Sequence, residues 1–327
     1  MTQRAFGLAE TGRKVIDMVW LIGSKGMLGS EVASQLTAAK IPFVTSDADV
    51  DITNVEALEH FAMQASSQLH SDHKLECIIN CAAYTAVDKA EDEAEKAAAV
   101  NAKGVANIAR VARNNGAKLI HISTDYVFDG KGCTEKDGKI RPYTETDQKA
   151  PLGVYGKTKS EGEDAVIKGM AKYYILRTAW LYGVHGHNFV YTMTKLTGSK
   201  DEIKVVSDQR GTPTNAATLA SVIVELVKSD EKNFVPFGIY HVTDEGETNW
   251  HEFACEINRL AKKHKKIDPK HECRILACTT SEYPTRAVRP AYSVLDKTKI
   301  QEALHIKLPH WQKSLESFMK DKRFEVQ

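Results

Sequence analysis

No apolar run in the chain approaches the roughly 20 residues needed to cross a bilayer. There is also no tandem repeat and no low-complexity tract. Helical membrane spans and solenoids are thereby excluded. An excess of one charge is missing too. Lys and Arg number 44 against 43 Asp and Glu, a net charge of +1. Nothing in that balance directs the chain to nucleic acid or to an anionic membrane. Cysteine is sparse. None of Cys77, Cys81, Cys133, Cys255, Cys273 and Cys278 forms C-x-x-C, and in a chain of 327 residues they read as reduced thiols inside a cell. His271 with Cys273 and Cys278 fits no zinc spacing, so no metal is expected there. The segment 1–17 carries Arg4, Arg13 and Lys14 and lacks the apolar core of a signal peptide. It reads as a frayed N-terminal extension or a first helix, with a transit peptide the weaker alternative, and a cytoplasmic protein is expected.

What is present is a globular composition, 42% apolar and 27% charged, laid out as strand and helix in alternation. Met18-Val-Trp-Leu-Ile-Gly23 suits a buried strand. Gly23, Gly26 and Gly29 follow at three-residue spacing and open a helix through Met27 and Leu28 to Ala39. Glycines there make a tight turn, let backbone approach a pyrophosphate, and pack helix on strand. Ile41 to Ser46 reads as the second strand, with Asp47 at its end. An acid at that position can bind the ribose hydroxyls of a dinucleotide, or serve as an ordinary turn residue. Asp51 and Ile52 lead into a helix capped by Thr53 or Asn54. Glu76 to Tyr84 is a third strand running into a small-residue turn at Ala82 and Ala83, followed by a helix from Glu91 to Asn115 with Gly116 as its C-terminal cap. Lys118 to Ile122 is the fourth strand and ends in Ser123, Thr124, Asp125 and Tyr126, either ligand-facing hydroxyls or a capping turn. Phe128 to Pro151 reads as a surface excursion or lid, and Tyr173 to Arg177 as the fifth strand. Later elements are a helix at Asn188–Leu196, a strand at Ile203–Val206, a helix capped by Thr214, a strand at Gly238–Val242 and a helix capped by Thr248.

Between the excursion and the fifth strand stands V-Y-G-K-T-K-S-E-G, Val154 to Gly162. On a helix, Tyr155 and Lys159 share one face. An ammonium beside a phenol stabilises the phenolate and lowers its pKa, which makes a proton donor for a carbonyl oxygen. Alone, Y-x-x-x-K equally describes an exposed amphipathic helix. The expected architecture is α/β: a Rossmann-like doubly wound parallel sheet over 18–180, with later contributions from about 211–243, and a smaller C-terminal α/β substrate lobe over 181–327.

Taken together, these residues resemble the extended short-chain dehydrogenases/reductases, and among them the dTDP-4-dehydrorhamnose reductases. The resemblance rests on the glycine turn, N-C-A-A-Y-T-A-V-D-K-A-E at Asn80–Glu91 and H-I-S-T-D-Y-V-F-D-G at His121–Gly130. It continues through Y-G-K-T-K at Tyr155–Lys159, R-T-A-W-L-Y-G at Arg177–Gly183, D-Q-R-G-T-P-T at Asp208–Thr214 and R-P at Arg289–Pro290. It implies reduction of the 4-keto group of a dTDP-linked deoxysugar with NADPH or NADH. It further implies Tyr155, Lys159 and Thr124 as the catalytic residues. Gly23, Gly26, Met27, Leu28, Gly29, Asp47, Asp51, Ile52, Ala83, Tyr84 and Thr85 would contact the cofactor together with Tyr155 and Lys159. Val87, Thr124, Asp125, Tyr126 and Trp180 would meet the nucleotide-sugar substrate. Some members of the family form homodimers bridged by magnesium through glutamates. Glu31 falls at one such ligand position and no companion ligand is identified, so no metal is assigned. The β subunit of methionine adenosyltransferase, a regulatory protein, resembles the same family and keeps Y-G-K-T-K. The T-A-W and D-Q-R-G-T-P-T segments favour the reductase reading over that subunit. A reductase of another nucleotide-linked 4-keto-6-deoxysugar is the further alternative.

Overall fold

The computed structural model describes residues 18–67, 74–135, 137–229 and 233–325. The extension expected over 1–17 lies outside them. Six strands form one sheet: β1 Met18–Ile22, β2 Phe43–Ser46, β3 Leu75–Asn80, β4 Lys118–Thr124, β5 Tyr173–Thr178 and β6 Gly238–His241. Their order is β6-β5-β4-β3-β1-β2, and every neighbouring pair is parallel. The chain moves outward from β1 to β2 and then crosses back to β3 on the other side. Such a reversal leaves a crevice at the carboxyl ends of β1 and β3, the place where open α/β sheets bind ligands.

Both faces of the sheet are covered, so the strands are apolar throughout rather than alternating. Val19 and Leu21 face a core that includes Val32 and Leu36 of α1 (Met27–Ala38), while Trp20 and Ile22 face Leu58 of α2 (Val55–Ser67) and Ile108 of α3 (Val105–Asn114). On that second face lies α4, Val154–Gly169. A third apolar cluster gathers Val190 of α5 (Phe189–Thr197), Phe253 of α7 (Trp250–Lys263) and Leu315 of α8 (Trp311–Lys320). Between α5 and α7 in the chain comes α6, Ala216–Lys228, which packs with α1 on the first face.

The helix expected from Glu91 to Asn115 is interrupted. A short helix Val87–Ala90 precedes Ala94–Ala98, a π-helical turn spans Ala99–Gly104, and only then does α3 begin. The π turn turns the Asn101 side chain onto the Tyr84 backbone, which a regular helix would not require. Two expected caps lie one residue late: Asn215 caps α6 and Asn249 caps α7, while the Thr214 hydroxyl donates to the Ala179 carbonyl and the Thr248 hydroxyl to Glu252 Oε2. The excursion after Phe128 is anchored rather than free. Phe128 and Tyr143 are buried with Tyr292 and Leu295, and Tyr143 N–H donates to the Val294 carbonyl at 2.9 Å.

At the start of α6 a buried carboxyl, Asp244, accepts from Asn215 N–H at 3.1 Å. Burial pushes it up to about 7, against the pull of Thr218, Asn215, Ser314 and Lys297. The folded chain therefore retains this proton over a range in which the unfolded chain, near 3.8, has lost it. Stability contributed here falls as pH rises from about 4 through about 7. Asp244→Asn is expected to flatten that decline, measured as melting temperature against pH. An unchanged slope would show that the carboxyl does not titrate in this window.

Candidate active site

Helix α4 begins at Val154 because Gly153 is extended and the Glu91 carboxylate accepts from Val154 N–H at 2.9 Å. A side chain on Gly156 would overlap the Tyr126 carbonyl, so this glycine lets the helix lie directly on the turn that ends β4. That contact fixes the phenol of the preceding residue. Gly156→Ala is expected to cost about 1–3 kcal/mol from overpacking and to lower kcat by moving Tyr155. Thermal melts and steady-state kinetics check both, and wild-type kcat in this variant would mean that the close approach does not set the phenol.

The half-buried Tyr155 ring meets Tyr126 edge-on, with centroids 5.5 Å apart at 78°. Thr124 donates to Asp125 Oδ1 at 2.9 Å and accepts from Tyr126 N–H at 3.2 Å. Burial pushes the Tyr155 phenol above its ordinary value. The Thr124 hydrogen bond pulls it back, and Asp125 and Tyr126 add to the rise. Lys159 is 2% exposed, and its Nζ donates to the Ile122 carbonyl at 2.5 Å. Burial pushes the ammonium down to about 8, with Glu163 and Cys81 opposing. The sequence pattern implies a phenol acidified by Lys159. In the folded chain burial dominates the phenol, and the ammonium is tethered to the end of β4. Asp125 is pushed up to about 6 by burial, against hydrogen bonds from Thr124 and Ser293.

Beneath Lys159, one helical turn on, Glu163 is fully buried. Arg177 holds it with two bonds of 2.8 Å, and Ser123 donates to Oε1 at 2.6 Å. Lys149 stands 3.4 Å from Oε2.

At the crevice, Gly23 has φ +76°, and a Cβ there would stand 2.7 Å from Ala82 N. The β1 turn and the β3 turn therefore touch only because this residue is glycine. Its N–H donates to the Ser46 carbonyl at 2.9 Å. Gly26 precedes α1, whose first turn holds Met27, Leu28 and Gly29. No side chain caps that end and no acid lies in the first turn. Such a helix start suits a pyrophosphate. Asp47 Oδ2 accepts from Lys25 N–H at 2.8 Å, so the acid sits against the glycine turn. Asp51 instead folds onto its own turn, with both Thr53 N–H and hydroxyl donating to Oδ1 at 2.8 Å. Ile52 is buried, and Asn107 donates to its carbonyl at 3.0 Å. Beyond Ala83, Asn101 brackets the Tyr84 backbone, accepting from N–H at 2.9 Å and donating to the carbonyl at 3.1 Å. The same Asn101 amide donates to Thr158 Oγ1 at 3.2 Å, and Thr158 donates to the Tyr155 carbonyl at 3.0 Å. The crevice and the phenol are thus mechanically joined. Thr85 is exposed, and Val87 opens the helix Val87–Ala90. Trp180, at φ +46°, stacks on Trp250 at 3.6 Å. It reaches the Asp125 side through Ser293: a Cβ on Gly211 would stand 2.5 Å from the Trp180 ring and 2.8 Å from Ser293 Oγ.

Sequence reasoning missed Glu91, Asn101, Glu163, Arg177 and Ser293. Asn101 left one signal, a polar residue that disfavours helix interiors set inside an alanine-rich run.

A family model described as RmlD substrate binding domain matches residues 17–324. The chain belongs to this family. The RmlD-family chain is 39% identical over 300 residues to the dTDP-4-dehydrorhamnose reductase of Aggregatibacter actinomycetemcomitans, covering 91% of this chain and 96% of that protein. The crystal structure of a dTDP-4-dehydrorhamnose reductase from Clostridium acetobutylicum is similar at 40% identity and TM-score 0.80, over 92% of this chain and 98% of that one. The Bacillus anthracis dTDP-4-dehydrorhamnose reductase in complex with NADP is 35% identical with TM-score 0.80, over the same shares of the two chains. The UDP-glucose 4-epimerase of Thermus thermophilus shares the fold, at 17% identity and TM-score 0.72, over 92% of this chain and 97% of that one. The Rossmann-like parallel sheet expected from the sequence is the one found.

In this RmlD-family chain Glu31 is 6% exposed and committed elsewhere. Arg323 Nη1 lies 3.1 Å from its Oε2, and Gln35 donates to its Oε1 at 3.2 Å. A carboxylate already neutralised by guanidinium does not fit a magnesium ligand. Among the described residues no group of three or more His, Cys, Asp or Glu could hold a metal. Nor is any helix among the described residues long and apolar enough to cross a membrane.

Proposed function

We infer that this chain is an NAD(P)H-dependent reductase that converts dTDP-4-dehydro-β-L-rhamnose to dTDP-L-rhamnose. The observation that carries the reading is the meeting of Tyr155, Thr124 and Lys159 at the carboxyl end of β4, beside a glycine crevice, in a chain so close to named reductases. The first turn of α1, Asp47 and the Ala83–Thr85 turn would hold the reduced nicotinamide cofactor, which when bound would supply a hydride for C4 of the sugar. This chain's residues do the rest. Thr124 orients the ketone oxygen by hydrogen bonding. Tyr155 gives that oxygen a proton as charge develops on it. Its raised pKa keeps the phenol protonated at neutral pH, which suits a donor, and an alkoxide-like oxygen is basic enough to take the proton. Lys159 then stabilises the phenolate left behind. Asp125, Tyr126, Val87 and Trp180 form the wall that meets the sugar nucleotide. The same reading makes the protein cytoplasmic and a nucleotide sugar its small-molecule partner. The test is turnover of dTDP-4-dehydrorhamnose with NADPH and with NADH, followed by loss of reduced-nicotinamide absorbance. Turnover with neither cofactor would refute it, and activity confined to another nucleotide-linked 4-keto-6-deoxysugar would reassign the substrate.

A further inference from the structure

We propose that Trp250 is a positioning residue for the substrate: its indole holds the Trp180 ring, and the strained backbone beneath it, in the pose that faces the nucleotide sugar. The proposal rests on the reading above for the substrate, and concerns a residue that belongs to neither the glycine crevice nor the catalytic trio. Trp180 lies two residues beyond β5 and stands at φ +46°. A bulky side chain in that left-handed region is uncommon and persists only where its surroundings over-determine it. Here they do. Thr214 grips the main chain, its hydroxyl donating to the Ala179 carbonyl at 2.7 Å and its N–H to the Trp180 carbonyl at 3.2 Å. Gly211 makes room for the ring: a Cβ there would stand 2.5 Å from Cε2 and 2.7 Å from Cζ2. Trp250 covers the ring itself, with centroids 3.6 Å apart and planes 11° from parallel.

Rings that close and that flat overlap nearly face to face, which their quadrupoles do not favour. Each indole must therefore be fixed from its own side. Trp250 is the first residue of α7, whose start is set by Asn249 Oδ1 accepting from Glu252 N–H at 2.8 Å. Thr248 and Asn249 pair antiparallel with Gly211 and Arg210. The segment that makes room for the Trp180 ring is thus the one that fixes the helix start carrying Trp250. Phe189 packs against Trp250 at 4.6 Å and 56°, and ties it to the aromatic cluster of α5 and α7. On the other side Ser293, which bonds Asp125, meets the Trp180 ring at Gly211. A tilt of that ring would displace the wall next to Asp125, so the plane of Trp250 sets the surface on which the sugar nucleotide rests.

The experiment pairs steady-state kinetics on the full chain with calorimetric binding of dTDP-L-rhamnose, which needs no turnover. Trp250→Leu is expected to raise KM for dTDP-4-dehydrorhamnose, and to weaken dTDP-L-rhamnose, by roughly 2–10-fold, the range for losing one aromatic stack. Its kcat should stay nearly unchanged, because the wall binds ground state and transition state alike. NADH binding should not move. Trp250→Phe, which keeps a ring in the stack, should recover most of the affinity. Gly211→Ala, which presses on the Trp180 ring while leaving Trp250 intact, should raise KM in the same way. Phe253→Leu damages the same aromatic cluster behind Phe189, with its ring 6.4 Å from that of Trp250. That variant should melt earlier with KM unchanged. Wild-type KM and product affinity in Trp250→Leu or in Gly211→Ala, or a rise in Phe253→Leu equal to that in Trp250→Leu, would overturn the proposal. Trp250-dependent binding of dTDP-L-rhamnose by a protein that leaves the ketone unreduced would uphold it while refuting the reductase reading.

Discussion

Replacing Tyr155 with Phe is expected to lower kcat by roughly 10²–10⁴-fold, the usual contribution of a positioned proton donor, with affinity for the reduced cofactor nearly unchanged. The substitution removes one oxygen and leaves the ring packed edge-on against Tyr126. It also leaves the helix start set by Glu91 and Gly153. Thr124 remains to hold the ketone oxygen, so residual turnover should exceed that of the free reaction. The burial that raises this phenol has a consequence for pH. The donor stays protonated well past neutrality, so alkaline loss of activity should come from Lys159, pushed down to about 8, before it comes from Tyr155. Steady-state kinetics and a fluorescence titration with NADH measure the two halves of the expectation. Near-normal kcat would take Tyr155 out of the chemistry.

Local chemistry made much of this legible. Gly23 at positive φ and a strand such as Val19–Ile22 follow from residue type and from burial on both faces. Cap positions slipped by one residue because Thr214 and Thr248 are good caps in isolation. Their hydroxyls are committed instead to the Ala179 carbonyl and to Glu252 Oε2, and the asparagines that follow take the helix starts. The π turn at Ala99–Gly104 could not be read either: the Asn101 side chain within it bonds the Tyr84 backbone, 17 residues away in the chain. Spacing reveals that Lys159 shares a face with Tyr155 but not that its ammonium also reaches the Ile122 carbonyl or how far burial raises the phenol. Pairings across more than a hundred residues, such as Arg289 with Asp88, leave no local periodicity to detect.

The second large effect is expected at Glu163, which touches neither crevice nor phenol. Burial raises its carboxyl, but Arg177, Ser123 and Lys149 outweigh burial and hold it below the ordinary range. Glu163→Gln keeps the shape and an acceptor for the Ser123 hydroxyl. It strands the Arg177 guanidinium, 1% exposed, without a counter-charge. Removing one partner of a buried pair costs roughly 3–5 kcal/mol, so the variant should melt well below the wild type at neutral pH. Because the carboxyl is depressed in the folded state, its stabilisation is present above its unfolded pKa and is lost on acidification. The gap between the two proteins should therefore narrow as pH falls. Glu163 also opposes the burial that depresses Lys159. Without that charge the ammonium gives up its proton at lower pH, and the alkaline limb of kcat should move in the acid direction. A purely structural loss would lower stability without moving that limb, and Glu163→Asp, which restores the charge, should return the limb toward its original position. Equal melting temperatures and superimposable pH profiles would show that the Arg177 pair neither holds the fold together nor sustains the charge on Lys159.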